Sequence, residues 1–273
     1  MSVSLKRELP EEKFARVAPE LLAELTTVAD WYRYGWKRLR RGVVLGHLAR
    51  NHVGLGVNAY FVQGDLQQLK QHFHVASVLY AYSVNEDGGP AFELDTSFLV
   101  ALLSDSPKVI KLFSTLKPSE FAPARDDPRQ SQFYAHMFQL VLQDDRALLR
   151  EKIALAARKA GKRDRGEFAA GQDLYSLLLA RDKAGLEARL DRRARIKSVN
   201  PWVEDFIAGA AMVEAKLCWL KGIPVQINNP LIPMALLPVQ PLAHYDDVYD
   251  FLQPGWKPPL QGALGKLIAR LWR

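Results

Sequence analysis

Apolar side chains at Phe206, Ala210, Val213, Leu217 and Leu220 are separated by four, three, four and three residues, the spacing of one continuous helical stripe. Asn200 before Pro201 reads as an N-cap with proline in the first turn. Glu204 and Asp205 suit the positive end of the helix dipole, and Lys221 with Gly222 supply the C-terminal signal. Ala208, Ala210, Ala211 and Ala215 permit close approach of neighbours, so the pattern predicts a helix inside the body, a central post. Helix cannot continue past Gly222, because eight of the chain's 16 prolines fall between there and Leu260. Ile223, Val225 and Ile227 alternate with Pro224 and Gln226, which predicts an extended segment whose apolar side lies on the helical body.

Upstream, Phe14, Val17, Leu21, Leu22 and Leu25 mark an amphipathic helix from about Glu12 to Asp30, with Pro19 placed to divide it and start the helix proper. The stretch that follows repeats itself. YFVQGDLQQLKQHF around Asp65, VALLSDSPKVIKLF around Asp105, LVLQDDRALLREKI around Asp145 and LLLARDKAGLEARL around Asp182 each join an apolar helix end to a polar cap and a second helix. The aspartates follow one another at intervals of 40, 40 and 37 residues, close to the roughly 40-residue period of stacked helical hairpins. Each is placed to cap the helix that opens after it, with Ser106 before Pro107 able to serve in the second copy. The fold class expected is therefore all-α: a solenoid-like array of helical hairpins with the proline-rich C-terminal segment packed on it. Asn85–Gly89, Ala124–Arg129 and Gly161–Gly166 read as surface loops. Leu260, Leu264, Leu267, Ile268 and Leu271, with Lys266 and Arg270, predict a terminal amphipathic helix that covers the end of the core.

A chain of 273 residues with 48% hydrophobic side chains can bury a large core. No apolar signal core opens the N-terminus and no run approaches the roughly 18 residues of a membrane span, so a cytoplasmic protein without membrane contact is expected. The single cysteine, Cys218, excludes an internal disulfide and reads as a small buried hydrophobe. Net charge is +7, with basic clusters at Lys37–Arg41, Arg158–Arg165 and Arg189–Lys197. Such a balance attracts nucleic acid or an acidic protein face, although the third cluster interleaves Glu187 and Asp191 as solvated helix faces do. Trp31, Tyr32, Tyr34 and Trp36 run into this first basic cluster; rings beside cations can stack bases, or bury themselves and leave the cations in water.

No catalytic constellation emerges. His72 and His74 are two apart on a helix and point in different directions, His47 and His52 are five apart, and His136 and His244 stand alone, so no metal is expected. The acid pairs Asp126 with Asp127, Asp144 with Asp145 and Asp246 with Asp247 sit in turns, where acids cap. Gly54 and Gly56 lie in an apolar helical stretch with no preceding strand, so no phosphate loop and no cofactor are expected, and the chain reads as a non-enzyme.

GQDLYSLLLARD from Gly171 and AKLCWLKGIPVQINNPLIPMALLP from Ala215 resemble the C-terminal half of the immunity protein 49 family of bacterial polymorphic toxin systems, over roughly Gly171 to Leu252. The resemblance implies one all-helical, cytoplasmic immunity-type domain over residues 1–273 that binds and neutralises a cognate toxin domain. It carries over no catalytic residues and does not name the toxin. The positive net charge argues against mimicry of nucleic acid, which calls for an acidic inhibitor. Candidate toxin contacts are Glu86, Asp87, Glu93 and Asp95, and the turn of Tyr245, Asp246 and Asp247, which is favoured because it joins an aromatic anchor to adjacent charge. A helical-repeat protein that binds nucleic acid through the basic clusters, with nucleic acid a less expected partner, is the alternative. An enzyme using a cleft beside Ile223–Pro241 is a third reading. The oligomeric state stays open.

Overall fold

A computed structural model describes residues 9–271, apart from 36–38, 90, 91, 93, 119, 120, 197, 199, 200 and 261. Among the described residues the chain is helical with no strand. The helices are α1 (Pro10–Tyr34), α2 (Arg41–Phe61), α3 (Leu66–Ser83), α4 (Leu99–Leu103), α5 (Pro107–Thr115), α6 (Phe121–Ala124), α7 (Ser131–Leu142), α8 (Arg146–Lys159), α9 (Lys162–Ala169), α10 (Leu174–Ala180), α11 (Lys183–Arg193), α12 (Gly209–Leu220) and α13 (Gly262–Leu271). Neighbours in sequence pack on one another, α1 on α2, α2 on α3, α7 on α8, α10 on α11. The array then closes, because α12 lies against α11 and also back against α4 and the π-helical turn Leu94–Phe98.

The repeat rests on one turn used four times. A residue with positive φ (Gly64 at 74°, Asp105 at 56°, Asp144 at 59°, Arg181 at 54°) reverses the chain. The next residue caps the following helix: Asp65 accepts from the Gln68 N–H, Ser106 from Val109, Asp145 from Leu148 and Asp182 from Gly185. In the second copy the cap is thus Ser106, and Asp105 occupies the left-handed position, which frees its carboxylate for another partner.

Helix α12 is buried along most of its length, from Gly209 to Cys218, and is the central post. Burial pushes the Cys218 thiol up to about 12. Its start differs from the expected one: residues 201–206 form turns, so Glu204 and Asp205 lie outside the helix, and Asn200 lies outside the described residues. The Ala208 N–H donates to Leu231 O at 2.8 Å, so the returning C-terminal segment takes a donor and fixes where the helix begins.

Three further local expectations are corrected. Pro19 neither divides nor starts α1; it lies on the exposed side of a continuous helix that starts at Pro10, so water can reach the carbonyl its missing N–H leaves free. The Gly161–Gly166 stretch opens α9 rather than forming a loop. Helix α13 buries Gly262 and Gly265 and pairs Lys266 with Asp30 of α1, so Leu264, Leu267 and Leu271 face outward instead of covering the core.

The extended segment lies as its alternation predicts, with Ile223, Val225 and Ile227 buried and Pro224 and Gln226 exposed. Its anchor is Lys216 on α12, whose ammonium donates to Leu236 O at 2.9 Å, Leu237 O at 3.1 Å and Pro238 O at 2.9 Å. The same ammonium lies 2.6 Å from the Asp105 carboxylate, which also receives Lys70 at 2.9 Å. Lys70 in turn donates to Gln240 O at 2.6 Å, and the Gln240 N–H donates to Asp105 at 3.2 Å. Burial lowers the Lys216 pKa and the Asp105 carboxylate opposes that shift. The Lys216 ammonium thus meets three backbone carbonyls besides its counter-charge, the pairing that buried charge requires.

Candidate functional site

Beyond Gln240 the chain crosses α3 and α5, and contacts of Tyr245 and Asp247 seat it there. The Tyr245 hydroxyl donates to Ser104 O at 2.6 Å and accepts the Leu242 N–H at 3.0 Å, while its ring stacks on His74 at 4.8 Å. His74 reaches the Asp247 carboxylate through Nε2 at 2.8 Å and Ser106 Oγ through Nδ1 at 2.9 Å. Lys108 on α5 also donates to Asp247. Burial alone would raise the Asp247 carboxyl, but the hydrogen bonds from Lys108 and His74 outweigh it and hold it below its ordinary value. Burial lowers the His74 pKa against the opposing pull of Asp247.

A second histidine group fastens the chain a little further on. His52 of α2 meets His72 of α3, Nδ1 to Nδ1, at 2.9 Å and contacts the Tyr249 hydroxyl through Nε2 at 2.8 Å. Only one proton can lie between the two Nδ1 atoms, so both rings cannot be cationic while this contact holds. Burial, with the neighbouring ring adding to it, pushes His52 down to about 3, and burial pushes His72 down to about 4.

Between this strap and the helices lies a cleft of about 480 Å³. Val78, Ala81, Leu112, Leu116 and Leu252 form its apolar floor, and Tyr82, Asn85, Glu86, Lys108 and Asp247 form its polar rim. The Tyr82 hydroxyl donates to Leu252 O at 3.3 Å, which ties α3 to the far wall.

The expected contact residues are divided by this geometry. Glu86 and Asp247 share the cleft rim. Asp246 beside them is exposed, accepts from His244 at 2.8 Å and exchanges backbone hydrogen bonds with the Gln71 side chain. Asp87 pairs with Arg40 at 3.3 Å and does not line the cleft. Tyr245 and Asp247 spend most of their bonding capacity on holding the strap. Glu93 lies outside the described residues, as does the side chain of Asp95. Lys108, Tyr82, Leu112 and Leu116 carry no local sequence signal. The His52–His72 pair could have been found from the turn at Val62–Asp65, which folds the two helices back on each other.

Ser106, His74 and Asp247 stand in the order of a nucleophile, a base and an orienting acid. The serine hydroxyl, however, accepts the Val109 N–H as a helix cap, and Ser106 is 1% exposed, so a substrate has no route to it. Among the described residues no group of three or more His, Cys, Asp or Glu stands where it could hold a metal ion, and no helix is long and apolar enough to cross a membrane. The third basic cluster is largely neutralised: Arg189 pairs with Glu167 and Glu214, Arg193 with Glu214 and Arg195 with Asp191. No family model, curated protein or solved structure matches the chain.

Proposed function

We propose that this chain is a non-catalytic immunity protein that binds a cognate toxin domain in the cytoplasm and neutralises it through the cleft between α3, α5 and the strap. The observation that carries this reading is the cleft itself: an apolar floor open to solvent, ringed by Glu86, Lys108 and Asp247. An apolar centre within a polar rim is what a protein anchor residue needs, and a wall fixed by internal hydrogen bonds keeps the ordering cost of binding low. The strap belongs to the part of the chain that resembles the immunity protein 49 family.

The test is protection of bacteria expressing the toxin domain encoded beside this gene, with Glu86→Lys and Leu112→Arg as variants. Loss of protection by variants whose thermal midpoints match the parent supports the reading. Full protection by both folded variants moves the interface off the cleft.

A second reading draws on one observation. Arg158, Lys159, Lys162, Arg163 and Arg165 are all exposed at the α8–α9 corner, a patch suited to phosphates. Binding of generic nucleic acid that weakens steeply with salt and is lost on neutralising this corner would favour it.

A further inference from the structure

A second pocket, of about 110 Å³, lies where three chain reversals meet: the α7–α8 turn, the α10–α11 turn and the end of α12. Leu149, Leu178 and Ile223 give it an apolar floor. Arg146, Arg181 and Lys221 stand around it with a single acid, Asp144. Lys221 pairs with Asp144 at 2.8 Å, and Arg181 donates to Gly222 O at 2.9 Å, which holds both cations in place. Among the described residues the Arg146 side chain has no hydrogen-bond or ion-pair partner. Three cations against one carboxylate leave the rim with an excess of two positive charges, carried mostly by exposed side chains around an apolar floor.

We propose that this pocket binds a small carboxylate with a branched aliphatic body, the acid group at Arg146 and Lys221 and the hydrocarbon on Leu149, Leu178 and Ile223. Lys221 already pairs with one carboxylate, that of Asp144 on the rim. The apolar floor of the pocket is small, with Leu149, Leu178 and Ile223 themselves buried, which suits a short aliphatic chain. Asp144 competes with the ligand for Lys221, so removing its charge should strengthen binding. Its left-handed backbone is one that asparagine also adopts.

Calorimetric titration at low salt with isovalerate, and with isoamyl alcohol as the uncharged counterpart, tests the proposal. Saturable binding of the acid alone is expected. Arg146→Gln should weaken it by about fivefold and Asp144→Asn should tighten it by a similar factor, the opposite signs separating a charge site from a general loss of structure. A tripeptide ending in leucine, with free or amidated C-terminus, identifies the source: tighter binding of the free peptide than of isovalerate points to a chain terminus, and the reverse to a free acid. Equal binding of acid and alcohol, no binding of any probe, or indifference to both substitutions overturns the proposal.

Discussion

Asp105 and Lys216 meet at 2.6 Å with neither side chain exposed to solvent, although one belongs to a hairpin turn and the other to the central helix. That contact, with Lys70 on the other carboxylate oxygen, joins the array, the post and the strap in one place. Asp105→Ala leaves two buried ammonium groups without their counter-charge and should destabilise the protein by about 3 kcal/mol or more. Asp145→Ala, which removes only a helix cap at the equivalent turn, should cost about 1 kcal/mol. Urea unfolding of the two variants checks the ranking, and equal midpoints would deny Asp105 its central place.

Val225 is fully buried in the extended segment. Val225→Asp should lower stability by about 2 kcal/mol or more, because an unpaired carboxylate replaces an apolar contact. An unchanged thermal midpoint would mean that the segment detaches without consequence for the helices beneath.

Stability should fall as pH drops below neutrality. His52 and His72 titrate in the fold at about 3 and about 4, whereas in the unfolded chain histidine titrates near about 6.5. The unfolded state therefore binds more protons throughout the interval, and stability present above about pH 6.5 is lost progressively towards the folded values. His52 alone should account for about 2 kcal/mol between pH 7 and pH 5. Asp247 and Asp250, held below their ordinary value, lose their contribution at still lower pH, in the same direction. Thermal midpoints measured across the range should show the fall, and His72→Gln should make it shallower; a profile flat from pH 7 to pH 5 would rule out the buried pair.

The strap separates anchoring residues from contact residues. Asp246→Lys, at an exposed side chain, should leave the thermal midpoint unchanged. Asp247→Lys places a cation beside Lys108 and strips His74 of its acceptor, and Tyr245→Ala removes the ring stacked on His74. Each should loosen residues 241–250 enough for limited proteolysis to cut there. If Asp247→Lys resists the protease as the parent does, Asp247 is free to serve as a contact and the hydrogen bonds to it are dispensable.

What could be read from the chain was what is decided locally. Caps at Asp65, Asp145 and Asp182, the hairpin period and the alternation of Ile223, Val225 and Ile227 all follow from groups a few residues apart, and the structure has them where the pattern placed them. The inward turn of Asp105 was not legible, because its partners Lys70 and Lys216 lie on other elements far along the chain. The late start of α12 depends on Leu231 O, and the outward leucines of α13 on a pairing with α1 that no periodicity records. For the cleft, Glu86 and the Tyr245–Asp247 turn could be singled out by charge and aromatic content, but Tyr82, Lys108 and Leu112 enter it only through the crossing of α3, α5 and the strap.

The closure of the array by α12 sets an order of assembly. On a ribosome, α1 to α11 emerge first, yet the surface of α4 that α12 covers and the charges of Lys70 and Asp105 wait for residues 209–240. Contacts this distant along the chain form slowly, and until they do the nascent protein presents an apolar face with an incomplete ion group at its centre. A chain interrupted before Gly209 would leave that surface of α4 uncovered and the Lys70–Asp105 pair without Lys216, so a later-synthesised segment completes the core of the earlier one.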